Sequence, residues 1–452
     1  MSSNFAATLP RRDFLRYVLL TGAAAGAGSM LNACGGGGQS PSRDALPGDN
    51  NELFIPSGPL ANIGPLQGAD ANDVLLPPGF SSRIVARNND TDLATVSGTG
   101  YTWHPFPDGG ATYPRENGGW IYVSNSEVPG VPLGGAGALV FDPDGSVVDA
   151  YSILTGTTMN CAGGQTPWNT WLSCEETPSG QVWECDPYNP GQGIAKPALG
   201  LFSHEAAAID PINKVVYLTE DAGDGRFYRW VADAADIDPV SGRLAMEQGR
   251  LQVLNLEGYE DGGYESDDAL MRTLRPVTWV DANSPDQPQG TVRGPGSIFD
   301  GGEGLWYYEL PEEVRSIPQG GTVPTRGLVF WTCKGDNRVW ALDIENQLAE
   351  LIFDNSQISP EFADVDNLTV SPAGDILVAE DGAGVRIMVV VPNQPSKVLV
   401  QLGSTHTASE ICGPAFSPDG SRLYFSSQRG PDGLGAPSGT TFEILIPEEF
   451  RA

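Results

Sequence analysis

The chain has 452 residues, with 25 Lys or Arg against 57 Asp or Glu, so its net charge is −32. Such acidity argues against a nucleic-acid-binding protein and against a protein held on anionic lipid by basic patches. It suits a soluble surface, or carboxylates gathered around hard cations such as Ca²⁺. With 40% hydrophobic residues and ten Trp, the chain is too apolar to be disordered. Its 57 Gly and 37 Pro imply many turns, and many turns with few charges predict an all-β fold.

Residues 1–33 are predicted to be an export signal. Arg11 and Arg12 precede a weakly apolar segment at 17–30, which is typical of twin-arginine signals, although Pro10 stands where Ser or Thr is usual. A short membrane anchor is the less favoured alternative, because the segment is too short and too rich in glycine to span well. We therefore expect a periplasmic, cell-envelope or secreted protein.

Residues 31–34 resemble a lipoprotein cleavage box, in which Cys34 would become the lipidated first residue. Residues 34–51, rich in Gly, Ser, Pro and Asp, would then be a flexible tether. The alternative is a signal cut nearby, with Cys34 discarded or inert. No other stretch looks long enough to span a membrane, so membrane contact is expected only through the signal or through a lipid on Cys34.

Residues 52–452 are predicted to form a single β-propeller domain. Six units share a template of strand, turn, strand and polar end, and repeated four-stranded sheets of this kind are typical of propellers. Six blades are expected, and five or seven fit if one unit is miscounted. The units lie at 120–127, 168–176, 204–221, 328–336, 366–381 and 415–428. Residues 231–300, rich in Asp, Gly and Pro, are predicted to be long loops between blades.

Most of these units end in acidic or amide side chains at equivalent positions. Equivalent positions of a propeller are related by rotation about its axis, so these side chains would converge on one face of the channel. Converging carboxylates repel one another unless cations lie among them, which predicts Ca²⁺ or a transition metal. For any single residue, a solvated loop position is the alternative. The residues are Glu127, Glu175 or Glu176, Glu220 or Asp221, Glu380 or Asp381, and Gln428.

The most specific segment is 160–176, which reads NCAGGQTPWNTWLSCEE. It combines a thiol before a Gly-Gly turn, two tryptophans and a closing Cys-Glu-Glu. Here the sequence resembles the PhoX-type alkaline phosphatases, and the resemblance covers roughly residues 70–430. Other motifs that match the family lie on both sides of this segment. In chain order they are 72–80, 125–127, 204–207, 303–304, 366–368, 380–382, 409–410 and 416–420.

The resemblance implies an exported propeller phosphatase that hydrolyses small phosphate monoesters at a cluster of Ca²⁺ and Fe³⁺ in its channel. We expect a monomer. Motif by motif, Cys161 would be the thiolate on iron, and Glu205 and Glu303 would bind or bridge the iron and calcium centre. With Asn125, these three make up the implied catalytic set. The implied calcium-side ligands and mouth residues are Glu175, Glu380, Glu410, Asn125 and Glu127.

The chemistry of the residues agrees in kind, since a thiolate is a soft ligand that suits iron and carboxylates suit Ca²⁺. A buried structural role is the alternative for Cys161. One departure concerns the Arg that the family usually carries two residues before the Glu-Gly pair, because here that position is Gly301. Its loss removes a bidentate phosphate contact. Arg293 and Arg226 are candidates to replace it.

Two other functions remain open at this point: a lactonase-like propeller hydrolase with one Ca²⁺, and a calcium-stabilised binding propeller without catalysis. Gly301 favours the binding propeller, whereas Cys161 favours the phosphatase, because neither alternative needs a soft ligand. The three histidines lack zinc-site spacing, and His204 is expected to orient or pack. Five cysteines follow Cys34, so at least one thiol stays unpaired or finds another use.

Overall fold

The computed structural model describes the chain from residue 52 onward. The described residues are 52–90, 93, 100–130, 132–191, 193–259, 273–354, 363–382, 384–392, 394–431 and 438–451. The predicted export signal and tether, with Arg11, Arg12 and Cys34, lie outside this part of the chain.

Short strands make up almost all of the regular structure in the described ranges. They are β1 Val74–Leu75, β2 Ser81–Arg87, β3 Pro107–Pro114, β4 Trp120–Ser126, β5 Gly134–Phe141, β6 Val147–Thr157, β7 Asn160–Gln165, β8 Trp171–Glu175, β9 Val182–Cys185, β10 Gly193–Ala195, β11 His204–Asp210, β12 Val215–Glu220, β13 Phe227–Ala232, β14 Gly249–Leu256, β15 Arg275–Asp281, β16 Gly302–Glu309, β17 Gly327–Cys333, β18 Arg338–Asp343, β19 Leu348–Asp354, β20 Val365–Val370, β21 Ile376–Glu380, β22 Arg386–Val390, β23 Lys397–Leu402, β24 Ile411–Phe416, β25 Arg422–Ser427 and β26 Thr440–Leu445.

The helices in the same ranges are 3₁₀ turns of three or four residues, and none has the length and apolar character that a membrane span requires. They are Pro59–Asn62, Pro197–Leu199, Ala234–Asp236, Gln289–Thr291, Glu312–Val314, Ser404–His406 and Glu448–Phe450.

The strands form antiparallel groups of four, most of them consecutive in the chain. The groups are β3–β6, β7–β10, β11–β14, β16–β19, β20–β23, and β24–β26 completed by β2. The short β1 adds to the edge strand β23, and β15 bridges β14 and β19, which joins the third and fourth groups into one nine-stranded sheet.

The innermost strand of each group lies against the innermost strand of the next, and the last returns to the first. These strands are β3, β7, β11, β16, β20 and β24. The pairing of β2 with β26 ties the start of the fold to its end. The all-β propeller predicted from sequence is confirmed, and each of the six sequence units falls in a different four-stranded group.

Residues 231–300 differ from the sequence prediction of long loops. This stretch contains β14 and β15, and β14 is the outer strand of the third group. The acidic, glycine-rich composition suggested loops, but Leu251, Val253 and Leu256 are buried where β14 packs against the neighbouring blade. Side-chain packing therefore overrode the average composition of the segment.

Aromatic side chains fill the space between sheets. Trp171, Trp230, Trp331 and Trp340 are nearly inaccessible to solvent. Trp331 and Trp340 stack with ring centroids 5.9 Å apart, and Phe227 of the third sheet contacts Trp331 of the fourth at 4.5 Å. This packing fixes the angle between neighbouring sheets and so fixes the positions of the inner strands around the axis.

Candidate metal centre

The six inner strands share one irregularity, a shift of register within their first five residues. Such a bulge re-aims the side chains beside it and is a common device next to functional sites. The second residue of each inner strand lies at this bulge, and we call these six residues the inner ring. They are Asp108, Cys161, Glu205, Glu303, Asp366 and Cys412.

A second set of six side chains follows the second strand of each sheet, one residue beyond its end. We call it the mouth ring. Its members are Glu127, Glu176, Asp221, Lys334, Asp381 and Gln428. Sequence reasoning had placed an acidic or amide side chain at five of these six blade ends, and the structure puts all six ends at equivalent points around the axis.

Residues of the two rings, together with Glu410 just before β24, form five groups of three potential ligand atoms, and within each group the atoms lie within 4.8 Å of one another. Successive groups share Cys161, Glu205, Asp366, Glu410 and Asp108 in turn, so the five groups form a closed circle. The resulting set, called here the central cluster, has eight carboxylates and two thiols. Its members are Asp108, Glu127, Cys161, Glu176, Glu205, Glu303, Asp366, Asp381, Glu410 and Cys412.

Five of the residues singled out from sequence meet in the central cluster: Glu127, Cys161, Glu205, Glu303 and Glu410. Glu175 does not, because its carboxylate accepts hydrogen bonds from the main-chain N–H groups of Thr158 (3.0 Å) and Gln181 (3.2 Å). Successive side chains of a strand point to opposite faces, so the next residue, Glu176, faces the axis instead.

Glu380 behaves in the same way. Its two oxygens accept from the guanidinium of Arg386 at 2.7 and 2.6 Å, and one of them also accepts from the main-chain N–H of Ala363 at 3.0 Å. Its neighbour Asp381 belongs to the central cluster. In both blades the first carboxylate fixes the turn and the second carboxylate faces the axis.

Asn125 is a positioning residue rather than a lining residue of the cluster. Its Nδ2 donates to the main-chain carbonyls of Cys161 (2.9 Å) and Ala162 (2.6 Å). Its Oδ1 accepts from Trp171 Nε1 at 2.9 Å and Ser173 Oγ at 2.8 Å. The fully buried amide thus holds the bulge that carries Cys161 against the neighbouring blade.

Asn125→Ala should lower the free energy of unfolding by about 2–4 kcal/mol, because it leaves two buried carbonyls and two buried donors without their partner. Urea unfolding followed by tryptophan fluorescence measures this loss. The matched change Asn189→Ala, at an exposed turn, should alter stability by less than about 0.5 kcal/mol. An equal effect of the two variants would contradict the role given to Asn125.

Sequence reasoning missed Asp108, Asp366 and Cys412 as members of the cluster, and it named Glu176 and Asp381 only as alternatives to Glu175 and Glu380. One signal could have found the inner-ring members: an acid or Cys at the start of an inner strand, usually followed by a small residue, as in Glu303-Gly304 and Cys412-Gly413. The small residue is needed because the inner strands approach closely. A Cβ on Gly304 would collide with the main-chain nitrogen of Leu368 in the next blade.

Glu205 is the most anomalous group of the cluster. It is 1% exposed, and neither carboxylate oxygen has a hydrogen-bond partner among the described residues. Burial, together with Glu303 and Glu176, raises its pKa well above the usual range. A buried, unpaired carboxylate is costly, so this arrangement fits a cation between Glu205 and its neighbours.

The other acids show the same mutual repulsion. Burial is the largest cause, and nearby carboxylates add to it, raising the pKa of Asp366 to about 7, of Glu127 to about 8 and of Glu176 to about 9. Burial, followed by Asp108 and Glu205, also raises the pKa of the Cys161 thiol. A thiol such as that of Cys161 among hard carboxylates is a donor set that suits a transition metal beside Ca²⁺.

Two basic side chains form ion pairs with the cluster within the described residues. Lys334 Nζ lies 2.8 Å from Glu303 and 3.4 Å from both Asp366 and Asp381. Arg429 lies 2.9 Å from Glu410 and 3.8 Å from Asp381. They compensate the charge of Glu303, Asp366, Asp381 and Glu410. Among the residues that the structure describes, no ion pair compensates the acids around Cys161 and Glu205.

The two arginines considered from sequence as substitutes at Gly301 are engaged elsewhere. Arg293 forms ion pairs with the carboxylates of Glu220 and Asp224. Arg226 donates to the main-chain carbonyls of Asp224 and Gly225. Neither guanidinium contacts a carboxylate of the central cluster.

Histidines and disulfides make no contribution to the site in the part of the chain that the structure describes. His204 is buried, with Nε2 3.1 Å from the carbonyl of Gly200, and its ring packs on Phe202. Burial lowers its pKa to about 3, so the ring is neutral. The five cysteines after Cys34 are all unpaired, and two of them, Cys161 and Cys412, lie in the central cluster.

Along the axis, the residues after the inner ring line a cavity of about 380 Å³. Its walls are mainly the small residues and main chain of the inner strands, such as Ala162, Ala206, Gly304 and Gly413. The cavity therefore adjoins the acidic cluster through the residues that follow the inner ring in each inner strand.

Fold and site together define a β-propeller with an acidic, thiol-bearing centre on its axis. The chain belongs to the alkaline phosphatase PhoX family, whose model matches residues 135–183, 177–301 and 339–431, more than half of the chain. The family membership predicted from the motifs is confirmed, and with it the class of phosphatase enzymes.

Among solved structures, PhoX of Pseudomonas fluorescens in complex with vanadate is similar to this chain with a TM-score of 0.64 and 16% identity, covering 86% of this chain and 98% of the other. A gluconolactonase of Xanthomonas campestris matches with a TM-score of 0.39 and 13% identity, covering 87% and 97%. No curated protein matches the chain.

Proposed function

We propose that this chain is an exported, metal-dependent phosphatase that hydrolyses phosphate monoesters with Ca²⁺ and Fe³⁺ held in the central cluster. The observation that carries the proposal is Glu205, a buried carboxylate with both oxygens unpaired beside the thiol of Cys161. The Pseudomonas fluorescens relative is described with vanadate, a transition-state analogue, which supports phosphoryl chemistry in this family.

The residues divide by ligand type. Cys161, with Asp108, Glu176 and Glu205 around it, offers the soft donor that suits iron. The remaining sectors offer carboxylate oxygens alone or, at Cys412, carboxylates beside a second thiol. Carboxylate oxygens are the donors that Ca²⁺ prefers.

When bound, such cations neutralise the negative charge that develops on a transferring phosphoryl group. The protein's own side chains hold the ligand residues in place. Asn125 fixes the bulge of Cys161, and Gln428 Nε2 donates to both Asp108 (2.7 Å) and Glu127 (2.6 Å), which fixes these carboxylates relative to each other. Burial of the inner ring keeps water from competing for its oxygens.

Metal analysis of the native protein together with hydrolysis of p-nitrophenyl phosphate tests the proposal. We expect iron and calcium in the protein, hydrolysis of the ester, and loss of hydrolysis after chelation. Calcium without iron and without hydrolysis would favour the binding propeller instead. Hydrolysis of a lactone but not of the phosphate ester would favour the lactonase-like alternative.

The proposal that the protein is exported depends on the Arg11-Arg12 pair in its predicted signal. Changing both residues to Lys should leave unprocessed protein in the cytoplasm, because twin-arginine signals require the guanidinium pair. Cell fractionation and immunoblotting measure the distribution, and Cys34→Ala serves as a separate test of the lipid anchor. Normal export of the double-Lys variant would contradict the twin-arginine assignment.

A further inference from the structure

Lys334 breaks the pattern of the mouth ring. Four of the other five positions carry Asp or Glu and the fifth carries Gln, whereas the fourth blade places an ammonium group there. Its Nζ is 2.8 Å from Glu303, which is in the inner ring, and 3.4 Å from Asp381, which is in the next blade. One cation therefore connects the two rings.

Arg429 lies beside it, one residue beyond the Gln428 position of the mouth ring. Asp381 connects the two cations, since one of its oxygens is 3.4 Å from Lys334 and the other is 3.8 Å from Arg429. The side chain of Lys334 is 30% exposed and that of Arg429 is 24% exposed, whereas Glu303 beneath them is 2% exposed. The cations thus face solvent on top of buried acids.

Burial by itself lowers the pKa of Lys334, but Glu303, Asp366 and Asp381 raise it overall, so the ammonium stays charged. Gly301 lies beside Lys334 in the backbone. Its carbonyl accepts from the N–H of Lys334 at 2.7 Å, its φ is +60°, and a Cβ there would lie 3.6 Å from the Cβ of Lys334. A side chain at 301 would therefore start next to the base of the Lys334 side chain.

We propose that Lys334 and Arg429 are the side chains that bind the phosphoryl anion of the substrate at the mouth of the central cluster. This inference rests on the proposed function. In a protein of net charge −32, an anion entering an acidic site meets strong repulsion. Two adjacent, solvent-facing cations supply the local attraction, and Asp381 between them holds their spacing until the anion binds.

The test uses full-length, metal-loaded protein and inorganic phosphate as the probe. Calorimetry gives the dissociation constant for phosphate, and steady-state hydrolysis of p-nitrophenyl phosphate gives KM and kcat. Lys334→Met and Arg429→Met should each weaken phosphate binding about 10- to 100-fold and raise KM by a similar factor. Lys334→Arg should recover most of the affinity, because it restores the positive charge. Arg293→Met, which removes a cation paired outside the cluster, should change phosphate affinity less than about twofold.

Metal content, measured on the same samples, separates the proposal from a structural role. If Lys334→Met binds phosphate normally and gains a calcium ion, Lys334 stands in for a metal ion and the proposal is wrong. Unchanged phosphate affinity in both Met variants also overturns it, even if the wild type is an active phosphatase. If the wild type binds phosphate through these residues but hydrolyses no ester, the inference stands and the proposed function fails.

Discussion

Glu205→Gln should stabilise the metal-free protein, by on the order of 3 kcal/mol, and weaken the metal-loaded protein. In the metal-free state the Glu205 carboxyl has no hydrogen-bond partner among the described residues and lies against Glu303, so it must either carry an unfavourable charge or take up a proton. A neutral amide of the same shape avoids both costs and can donate to neighbouring carboxylates. In the loaded state the same change removes an anionic ligand. Urea unfolding with and without a chelator measures both effects.

The sign of the pH dependence follows from the raised pKa of Glu205. A carboxyl whose folded pKa lies above its ordinary value of 4.5 destabilises the fold as the pH rises above that value. The advantage of Glu205→Gln in chelator should therefore grow with pH above 4.5 and vanish in strong acid. A pH-independent difference would contradict this account.

Glu184→Gln is the matched control for Glu205→Gln. Glu184 is also buried, with 5% of its surface exposed, but it pairs with Lys196 at 2.9 Å and Arg243 at 2.8 Å. Loss of its charge should destabilise the protein, and by the same amount with or without chelator. If Glu205→Gln also destabilises the metal-free protein, Glu205 has a compensating partner and the central cluster does not need a cation there.

Cys161→Ser should lower bound iron and phosphatase activity together, by at least about tenfold, while calcium is kept in part. A serine hydroxyl is a poor substitute for a thiolate on iron, whereas the carboxylates that suit Ca²⁺ remain. Loss of a direct ligand should cost at least as much as loss of a group that only supports a ligand, for which losses begin at about tenfold. Elemental analysis by mass spectrometry and the ester assay on the same sample measure the two quantities.

Cys174→Ala is the control for this thiol, since Cys174 is buried in β8 outside the central cluster. It should lose stability but keep the iron-to-protein ratio of the wild type. Full iron content in folded Cys161→Ser protein would make Cys161 a structural residue.

The blade pattern could be predicted because strand, turn and polar end recur in each unit, and the rotational symmetry of a propeller then converts equivalent sequence positions into spatial neighbours. This argument brought Glu127 to the axis, whereas Cys161, Glu205, Glu303 and Glu410 were named only through the resemblance to the PhoX-type phosphatases. It could not choose between adjacent acids such as Glu175 and Glu176, because a bulge or turn shifts which of two neighbours faces the axis.

Site residues that lie outside a clearly repeated strand–turn–strand unit could not be predicted from the sequence. Asp108 precedes two glycines in a region without a clear unit, and its place in the inner ring depends on the bulge in β3. Lys334 was not singled out either, because the weak unit at 328–336 gave no assigned blade-end residue and a lysine does not match the acidic ends of the other units. The ion pairs of Arg293 also required the structure, since a loop residue can reach several partners.

Anomalous X-ray scattering from crystals of the native protein tests most directly whether cations occupy the central cluster. Data collected on both sides of the iron absorption edge should give an iron peak within bonding distance of Cys161 Sγ and of a Glu205 oxygen. Weaker peaks of calcium should lie among the neighbouring carboxylates. A map without peaks on the propeller axis, with Glu205 still unpaired, would contradict the assignment of a metal-dependent phosphatase site.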